Sequence, residues 1–300
     1  MIRALVVGRL RKGRRIRRVV RQTASELRAA GWKVDTKIVE LKPDLKRAAA
    51  RAVAKGFDVV VAVGGDGAVL QVSTPLARTK VALGIIPMGT GNLLATNLAI
   101  PTDPAEAART LVAGHRRRID IGRVTVDGGD RYDFAVACGV GFDAKVMEKT
   151  AAAQKRRWGK LAYVVNAISE AGAVHNVPHS ITLDGVTTSS EAAQILIANF
   201  GQMMAGVEPD LAVQPDDGIL DVIEIHASGP LSGLVAGLEA LRQKTVGESH
   251  GGHAVRARAR RIRIETTPKR LVEVDGNVVG TTPIKVRVVP HALTVIVPAK

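Results

Sequence analysis

Cysteine and aromatic residues are scarce in this sequence. Cys138 is its single cysteine, which excludes an intramolecular disulfide and a cysteine-rich zinc site and favours a reducing, cytoplasmic location. Aromatic residues make up only 3% of the chain, so valine, isoleucine, leucine and alanine must supply most of the core. The basic segments also lack interleaved aromatics for stacking on bases, which disfavours a specific nucleic-acid partner.

No stretch of the sequence predicts a membrane span. The longest uncharged stretch, Val81–Thr102, has the length of a span, but prolines, glycines and asparagines interrupt it. The formal net charge of +15 at pH 7 favours polyanionic partners such as nucleotide phosphates or an anionic membrane surface. We therefore expect peripheral membrane contact, helped by Arg256, Arg258 and Arg260, which alternate along a predicted strand.

The most informative stretch is FDVVVAVGGDG, from Phe57 to Gly67. An unbroken apolar run, Val59–Val63, predicts a strand buried on both faces, and it stops abruptly at a glycine-rich turn. Glycines let a ligand approach the backbone, and Asp66 is the one charged side chain in the turn. A second turn of this kind, Pro87–Asn92, follows the next predicted strand. Two such turns at the carboxyl ends of strands predict an anion-binding site.

The order of predicted elements indicates two domains. Up to about residue 119, strands alternate with helices, which predicts an α/β domain with a parallel sheet. Residues 120–300 are mostly short β-branched runs, which predict a mainly antiparallel β-sandwich. We expect helices near residues 160–171 and 231–244, and the last strand is expected to return to the first domain.

These motifs together resemble the diacylglycerol kinase catalytic-domain family, which includes bacterial lipid kinases and sphingosine kinases. After GGDG and GIIPMGTGN, the resemblance continues in the family's order through five further segments. They are CGVGFD (138–143), GKLAY (159–163), MAG (204–206), PDDG (215–218) and VDG (274–276). The resemblance implies ATP-dependent transfer of the γ-phosphoryl group to a lipid hydroxyl such as that of diacylglycerol. It also implies that residues 1–119 bind the nucleotide and that residues 120–300 bind the lipid substrate.

The resemblance also implies roles for particular residues. ATP and Mg²⁺ are the implied cofactors, and Asp66 would serve both magnesium and catalysis. The implied nucleotide-binding residues are Gly64, Gly65, Asp66, Gly67, Ala68 and Thr90, with Ala68 standing where the family usually has threonine. A second, structural magnesium would be held by Asp217 and by backbone oxygens of Gln214 and Ile219. Spacing alone, however, favours an ordinary Asx turn at Asp217.

One departure from the family concerns the general base. The family usually has glutamate after Asp-Gly in the sandwich domain, whereas this chain has Asn277, which cannot accept a proton. Asp275 is the nearest substitute. The sequence around it, VEVDGNVV, predicts a hairpin with a two-residue Asp-Gly type I′ turn, which explains Asp275 and Gly276 without any chemistry.

Two alternative functions follow from these observations. The related NAD kinases share GGDG but pair it with a downstream Asn-Glu dipeptide, which this chain does not contain. A non-catalytic binder of nucleotides or polyanions would explain both the departure at Asn277 and the net charge. A homodimer is a further assembly to be tested.

Overall fold

The computed structural model describes residues 1–10, 15–142, 176–201, 213–226 and 254–299, with backbone alone at Phe142 and Ala254. The helices predicted near residues 160–171 and 231–244, and the motif segments at 159–163 and 204–206, lie outside the described residues. By the clustering of its contacts the chain divides into two compact units, Met1–Ile119 with His291–Lys300, and Asp120–Pro290.

In the described part of the first unit, strands alternate with helices in the order predicted for an α/β domain. The C-terminal end of the last strand of the chain joins the same sheet. The elements of this unit are β1 (Arg3–Arg9), α1 (Arg15–Ala29), β2 (Lys33–Val39), α2 (Lys42–Ala54), β3 (Val59–Gly64), α3 (Asp66–Leu76), β4 (Ala82–Pro87), α4 (Leu93–Asn97) and α5 (Pro104–Ala113). The strands β2, β1, β3 and β4 lie side by side and are parallel. Beyond β4, Val295 of β16 (Ile284–Val297) pairs in parallel with Leu83.

Burial on both faces explains the continuous apolar strands of this unit. Every residue of β3 and β4 is buried, and Val60 and Val61, whose side chains point to opposite faces, are both 0% exposed. The helices pack in two pairs, α1 with α5 and α2 with α3. The predicted parallel α/β sheet is therefore confirmed.

Helix α3 begins at Asp66, inside the glycine motif. The Gly65 carbonyl accepts hydrogen bonds from the backbone N–H groups of Ala68 (2.8 Å) and Val69 (3.1 Å), so the helix begins at once after the strand. Asp66 thus becomes the acidic residue in the first turn of a helix.

The described residues of the second unit form antiparallel strands. The remaining elements are β5 (His115–Thr125), β6 (Arg131–Phe134), β7 (Ala137–Phe142), β8 (Val177–Leu183), β9 (Val186–Ala192), β10 (Gln194–Ala198), β11 (Leu220–Ile225), β12 (Ala254–Ala259), β13 (Arg261–Thr266), β14 (Leu271–Val274) and β15 (Asn277–Thr281). One sheet has the strand order β12, β11, β10, β7, β14, β15. In the other, β13 lies between β8 and the first part of β16, β8 pairs with β9, and β5 pairs with β6.

One apolar core joins these sheets. Ile197, Val222 and Val272 from the first sheet pack in the same cluster as Ile181 and Ile262, and all five are at most 2% exposed. Phe134 fills the space over Gly122, where an added Cβ would lie 1.9 Å from the ring. The predicted antiparallel sandwich is confirmed.

Cys138 is part of this core. Burial raises the pKa of its thiol far above the ordinary value, and the nearby charges of Glu273 and Asp275 raise it further. The thiol therefore stays protonated and packs as a small apolar side chain.

Candidate active site

Two glycine turns are in direct backbone contact at the carboxyl ends of β3 and β4. Met88 N–H donates to the Gly64 carbonyl at 2.8 Å, which continues the strand pairing into the turns. A Cβ added to Gly65 would lie 2.8 Å from the Gly89 Cα, and one added to Gly89 would lie 2.6 Å from the Gly65 Cα. No side chain fits at either position unless the turns separate.

Asn92 holds the second turn in shape. Its side-chain oxygen accepts the Gly89 N–H at 2.8 Å, and its side-chain N–H donates back to the Gly89 carbonyl at 2.9 Å. Its backbone has φ +49°, in the left-handed region that asparagine tolerates better than most residues. Sequence reasoning missed this role, although an asparagine directly after Gly-Thr-Gly was the available signal.

Asp66 links the first turn to the second. One carboxylate oxygen, Oδ1, accepts the Leu93 N–H at 2.6 Å, at the start of α4. The other, Oδ2, lies 2.8 Å from the place that a Cβ on Gly91 would take, so Gly91 makes room for the carboxylate. Asp66 is partly buried and its charge stands at the N-terminus of α3. The structure therefore gives Asp66 a positioning role in addition to its predicted catalytic one.

The remaining predicted nucleotide-binding residues lie in the same place. Ala68 packs on the first turn, its Cβ lying 2.6 Å from the place that a Cβ on Gly64 would take. Thr90 is exposed at the tip of the second turn, between Gly89 and Gly91. The structure thus brings together every residue that the resemblance assigns to the nucleotide.

Lys42 brings a positive charge to this site, and sequence reasoning missed it. Its ammonium nitrogen Nζ lies 3.2 Å from the place that a Cβ on Gly67 would take. Lys42 is half-buried in the first turn of α2 and reaches the glycine turn because α2 packs against α3. Nothing in the sequence around Lys42 connects it to the glycine motif, since the contact depends on how the two helices pack.

The predicted hairpin at Asp275 is present, and it occupies the carboxylate. Asp275 and Gly276 have φ of +43° and +79°, as a type I′ turn requires, and Val274 pairs with Asn277. The Asp275 side chain accepts three backbone N–H groups, from Ala135 (2.8 Å), Val136 (3.0 Å) and Ala137 (3.0 Å). Both of its oxygens are engaged, so Asp275 is poorly placed to accept a proton from substrate.

Asn277 folds back onto the same turn. Its side-chain N–H group donates to the backbone carbonyls of Asp275 (3.2 Å) and Val274 (3.4 Å). The side chain is partly buried and acts here as a donor. An amide in this position can orient a hydroxyl group, but it cannot remove the hydroxyl proton.

The predicted ligand set for a second magnesium does not fit the ion in this arrangement. Asp217 Oδ1 accepts the Ile219 N–H at 3.0 Å, which is the Asx turn that spacing favours, and Oδ2 is hydrogen-bonded by Arg258. Each carboxylate oxygen of Asp217 therefore already accepts a hydrogen bond, and Arg258 brings a positive charge to the place where the ion would bind. The other two predicted ligands are the backbone oxygens of Gln214 and Ile219. Among the described residues, no group of three histidine, cysteine or acidic side chains could hold a metal ion.

Asp120 contacts this turn from β5, and sequence reasoning missed it. It is fully buried, its Oδ2 accepts the Gly218 N–H at 2.7 Å, and its own N–H donates to the Pro215 carbonyl at 2.6 Å. An acid between two isoleucines of a strand was the available signal. Asp120 and Asp217 thus hold adjacent backbone amides.

Comparison with known proteins agrees with this geometry. The diacylglycerol kinase catalytic domain matches residues 4–124, and the YegS C-terminal NAD kinase beta sandwich-like domain matches residues 136–297. The chain belongs to the diacylglycerol kinase catalytic-domain family. Its similarity to a Stenotrophomonas maltophilia protein named "Probable lipid kinase YegS-like" is 31% identity over 93% of this chain and 92% of that protein.

Other relatives of this diacylglycerol kinase family member are matched over part of their length. A Mycobacterium tuberculosis diacylglycerol kinase is 36% identical over 60% of this chain and 58% of that protein. A Synechocystis protein of uncharacterized function is 28% identical over 87% of this chain and 60% of that protein. A crystal structure assigned as a Bacillus anthracis diacylglycerol kinase has a TM-score of 0.81 at 24% identity, covering 99% and 96% of the two chains, and shows the same fold.

In the described residues, no helix has both the length and the apolarity to cross a bilayer.

The bond between Asp66 and the second turn predicts different effects for two substitutions. Asp66→Asn keeps an oxygen that can accept the Leu93 N–H, whereas Asp66→Ala leaves this partly buried donor without its partner. We expect Asp66→Ala to lower the free energy of unfolding by about 1–3 kcal/mol more than Asp66→Asn does. Denaturant unfolding of both variants measures the difference. Asp44→Ala is the control, because Asp44 also lies in the first turn of a helix but pairs with Arg47 at the surface. Equal losses for the two Asp66 variants would contradict the positioning role.

Proposed function

We propose that this protein is an ATP-dependent lipid kinase that transfers the γ-phosphoryl group to the hydroxyl of a lipid such as diacylglycerol. The observation that carries the proposal is the pair of glycine turns in backbone contact at Gly65 and Gly89, with Asp66 and Lys42 beside them. Membership of the diacylglycerol kinase catalytic-domain family supports the same reaction class.

The chemistry of phosphoryl transfer suits such a site. The reaction needs positioning and neutralisation of phosphate charge more than it needs covalent chemistry. The N-terminus of α3 and the Lys42 ammonium beside Gly67 favour negative charge at the glycine turns, as binding of a phosphate requires. Asp66 would hold a magnesium ion through Oδ2, since Oδ1 accepts the Leu93 amide. A magnesium ion bound with ATP would neutralise charge on the β- and γ-phosphates.

Transfer of label from γ-radiolabelled ATP tests the proposal directly. We expect the wild type to label one class of lipid hydroxyl in a lipid panel, with no label entering NAD. Asp66→Asn should abolish transfer, because the amide removes the negative charge while it keeps the bond to Leu93. Label in NAD would instead support the NAD kinase alternative.

A non-catalytic nucleotide binder is the second candidate, and the sandwich hairpin favours it. Asn277 donates its N–H group to the turn and Asp275 accepts three amides, so neither side chain is arranged as a general base. ATP binding without transfer to any lipid in the panel would support this candidate.

Restoring a carboxylate at position 277 separates the two candidates. If the protein is a kinase that lacks its base, Asn277→Glu should raise kcat on the lipid substrate, since a positioned general base is typically worth about 10²–10⁴ in rate. ATP affinity should change little, because the proposed nucleotide contacts lie on the glycine turns. Asn277→Gln is the matched control, since it lengthens the side chain without adding a base. An unchanged kcat in Asn277→Glu, together with a loss of activity in Asp275→Asn at an unchanged free energy of unfolding, would assign the base to Asp275, because Asp275 also holds three backbone amides.

We also propose peripheral contact with anionic membranes, through a basic strip that differs from the one predicted. Arg256 is only 4% exposed and pairs with Asp221, so it cannot reach lipid. Exposed cations instead face each other across β13 and β16. This basic strip consists of Arg261 opposite Arg287 and Arg263 opposite Lys285. Like charges directly across a sheet repel each other, and Glu265 offsets only the charge of Arg263. An anionic surface would therefore reduce the repulsion mainly at Arg261, Lys285 and Arg287.

Charge reversal tests the basic strip. Lys285→Glu with Arg287→Glu should weaken sedimentation with vesicles that contain phosphatidylglycerol, and wild-type binding should fall as salt is added. Lys46→Glu with Arg51→Glu changes the net charge equally on the exposed face of α2 and is the control. Equal loss of binding in both pairs would mean that net charge alone matters. Binding of wild type to neutral vesicles at the same level would contradict the proposal.

The homodimer stays a prediction that sedimentation velocity can test.

A further inference from the structure

Two carboxylates and two guanidinium groups form a cluster at the turn where the resemblance puts the second magnesium. Asp217 lies in the turn before β11, and Asp221 lies in β11 itself. The strand pairing sets Arg258 of β12 directly opposite Asp221 and Arg256 opposite Ile223. We call these four residues the turn cluster.

The contacts of the turn cluster are specific. Both Nε and Nη2 of Arg256 lie within hydrogen-bond distance of Asp221 Oδ1, at 2.7 and 2.6 Å, and both side chains are at most 5% exposed. Arg258 donates from Nη2 to Asp217 Oδ2. Its Nε lies 3.8 Å from Asp221 Oδ2. The Arg258 guanidinium therefore lies between the two carboxylates.

The charges of the turn cluster already balance. Two aspartates and two arginines sum to zero, so a divalent cation added beside them would meet two positive charges at close range. Asp221 Oδ2 is buried and makes no hydrogen bond, and the positively charged Arg258 Nε lies 3.8 Å from it.

The turn is also fixed from inside the protein. Asp217 Oδ1 accepts the Ile219 N–H and Asp120 Oδ2 accepts the Gly218 N–H. Gly218 has φ +75°, which glycine adopts without strain. Both backbone N–H groups therefore have carboxylate acceptors within the protein, and the turn does not need a metal ion to keep its shape.

We propose that the guanidinium of Arg258 takes the place of the second magnesium ion, neutralising Asp217 and Asp221 so that this turn needs no divalent cation. The turn keeps the acid that the family uses but is closed by a side chain from β12. This property belongs to the turn alone and does not depend on whether the protein transfers phosphate. Any magnesium requirement of the reaction would then come from the nucleotide.

Melting of the nucleotide-free protein, with EDTA or with MgCl₂ at matched ionic strength, tests the proposal. The wild-type Tm should be the same in both conditions. Arg258→Met should melt roughly 4–10 °C lower in EDTA, because two carboxylates lose their shared cation, and MgCl₂ should restore much of that loss in a saturable way. Arg258→Lys keeps the positive charge and should stay insensitive to MgCl₂.

Arg263→Met is the matched control, because Arg263 pairs with Glu265 on an exposed face and carries the same charge. It should shift Tm little and should not respond to MgCl₂. A saturable rise of the wild-type Tm with MgCl₂, abolished by Asp217→Asn, would overturn the proposal. So would an Arg258→Met protein that melts like the wild type. If Arg258→Met fails to fold, calorimetric titration of the wild type with MgCl₂ decides, since Asp217-dependent binding contradicts the proposal and its absence supports it.

Discussion

The candidate site depends on one close approach, the contact between the backbones of Gly65 and Gly89. Only residues without a Cβ allow two backbones to come this close. Glycine at both positions therefore lets the turns after β3 and β4 touch. Asp66 and Asn92 then have partners within reach, and each fixes a different part of the second turn. The site is thus rigid because of its glycines, although glycine is the most flexible residue in an unfolded chain.

Acidic side chains in this protein repeatedly hold backbone amides. Asp66 accepts the amide of Leu93, Asp275 accepts three amides of the segment between β6 and β7, and Asp120 accepts that of Gly218. A carboxylate with amide donors is both oriented and stabilised in its charged form. In this chain Asp66 and Asp275 therefore fix local shape, and their place in a motif does not by itself separate that role from catalysis.

The features that the sequence predicts well are local ones. Buried strands β3 and β4, the turns that follow them, and the Asp-Gly hairpin are each encoded within about ten consecutive residues, where periodicity and glycine are informative. Contacts between distant segments carry no such signal. Lys42 reaches Gly67 through packing of α2 on α3, and Arg258 reaches Asp221 through the register of two strands. Arg256 shows the same limit, because alternation along β12 predicts a shared face but not which face is buried.

The path of β16 bears on the order in which the chain can fold. Its residues up to Pro290 belong to the second unit, and from His291 onward they belong to the first. There the Arg118 guanidinium donates to the His291 carbonyl at 2.7 and 3.0 Å, and Arg78 N–H donates to the Ala292 carbonyl at 2.6 Å. During synthesis, the sheet that carries the glycine turns must therefore wait with an open edge beside β4 until the whole second unit has left the ribosome. An unpaired edge of this kind is a site where other chains can pair, and β16 closes it only when synthesis of the chain is nearly finished.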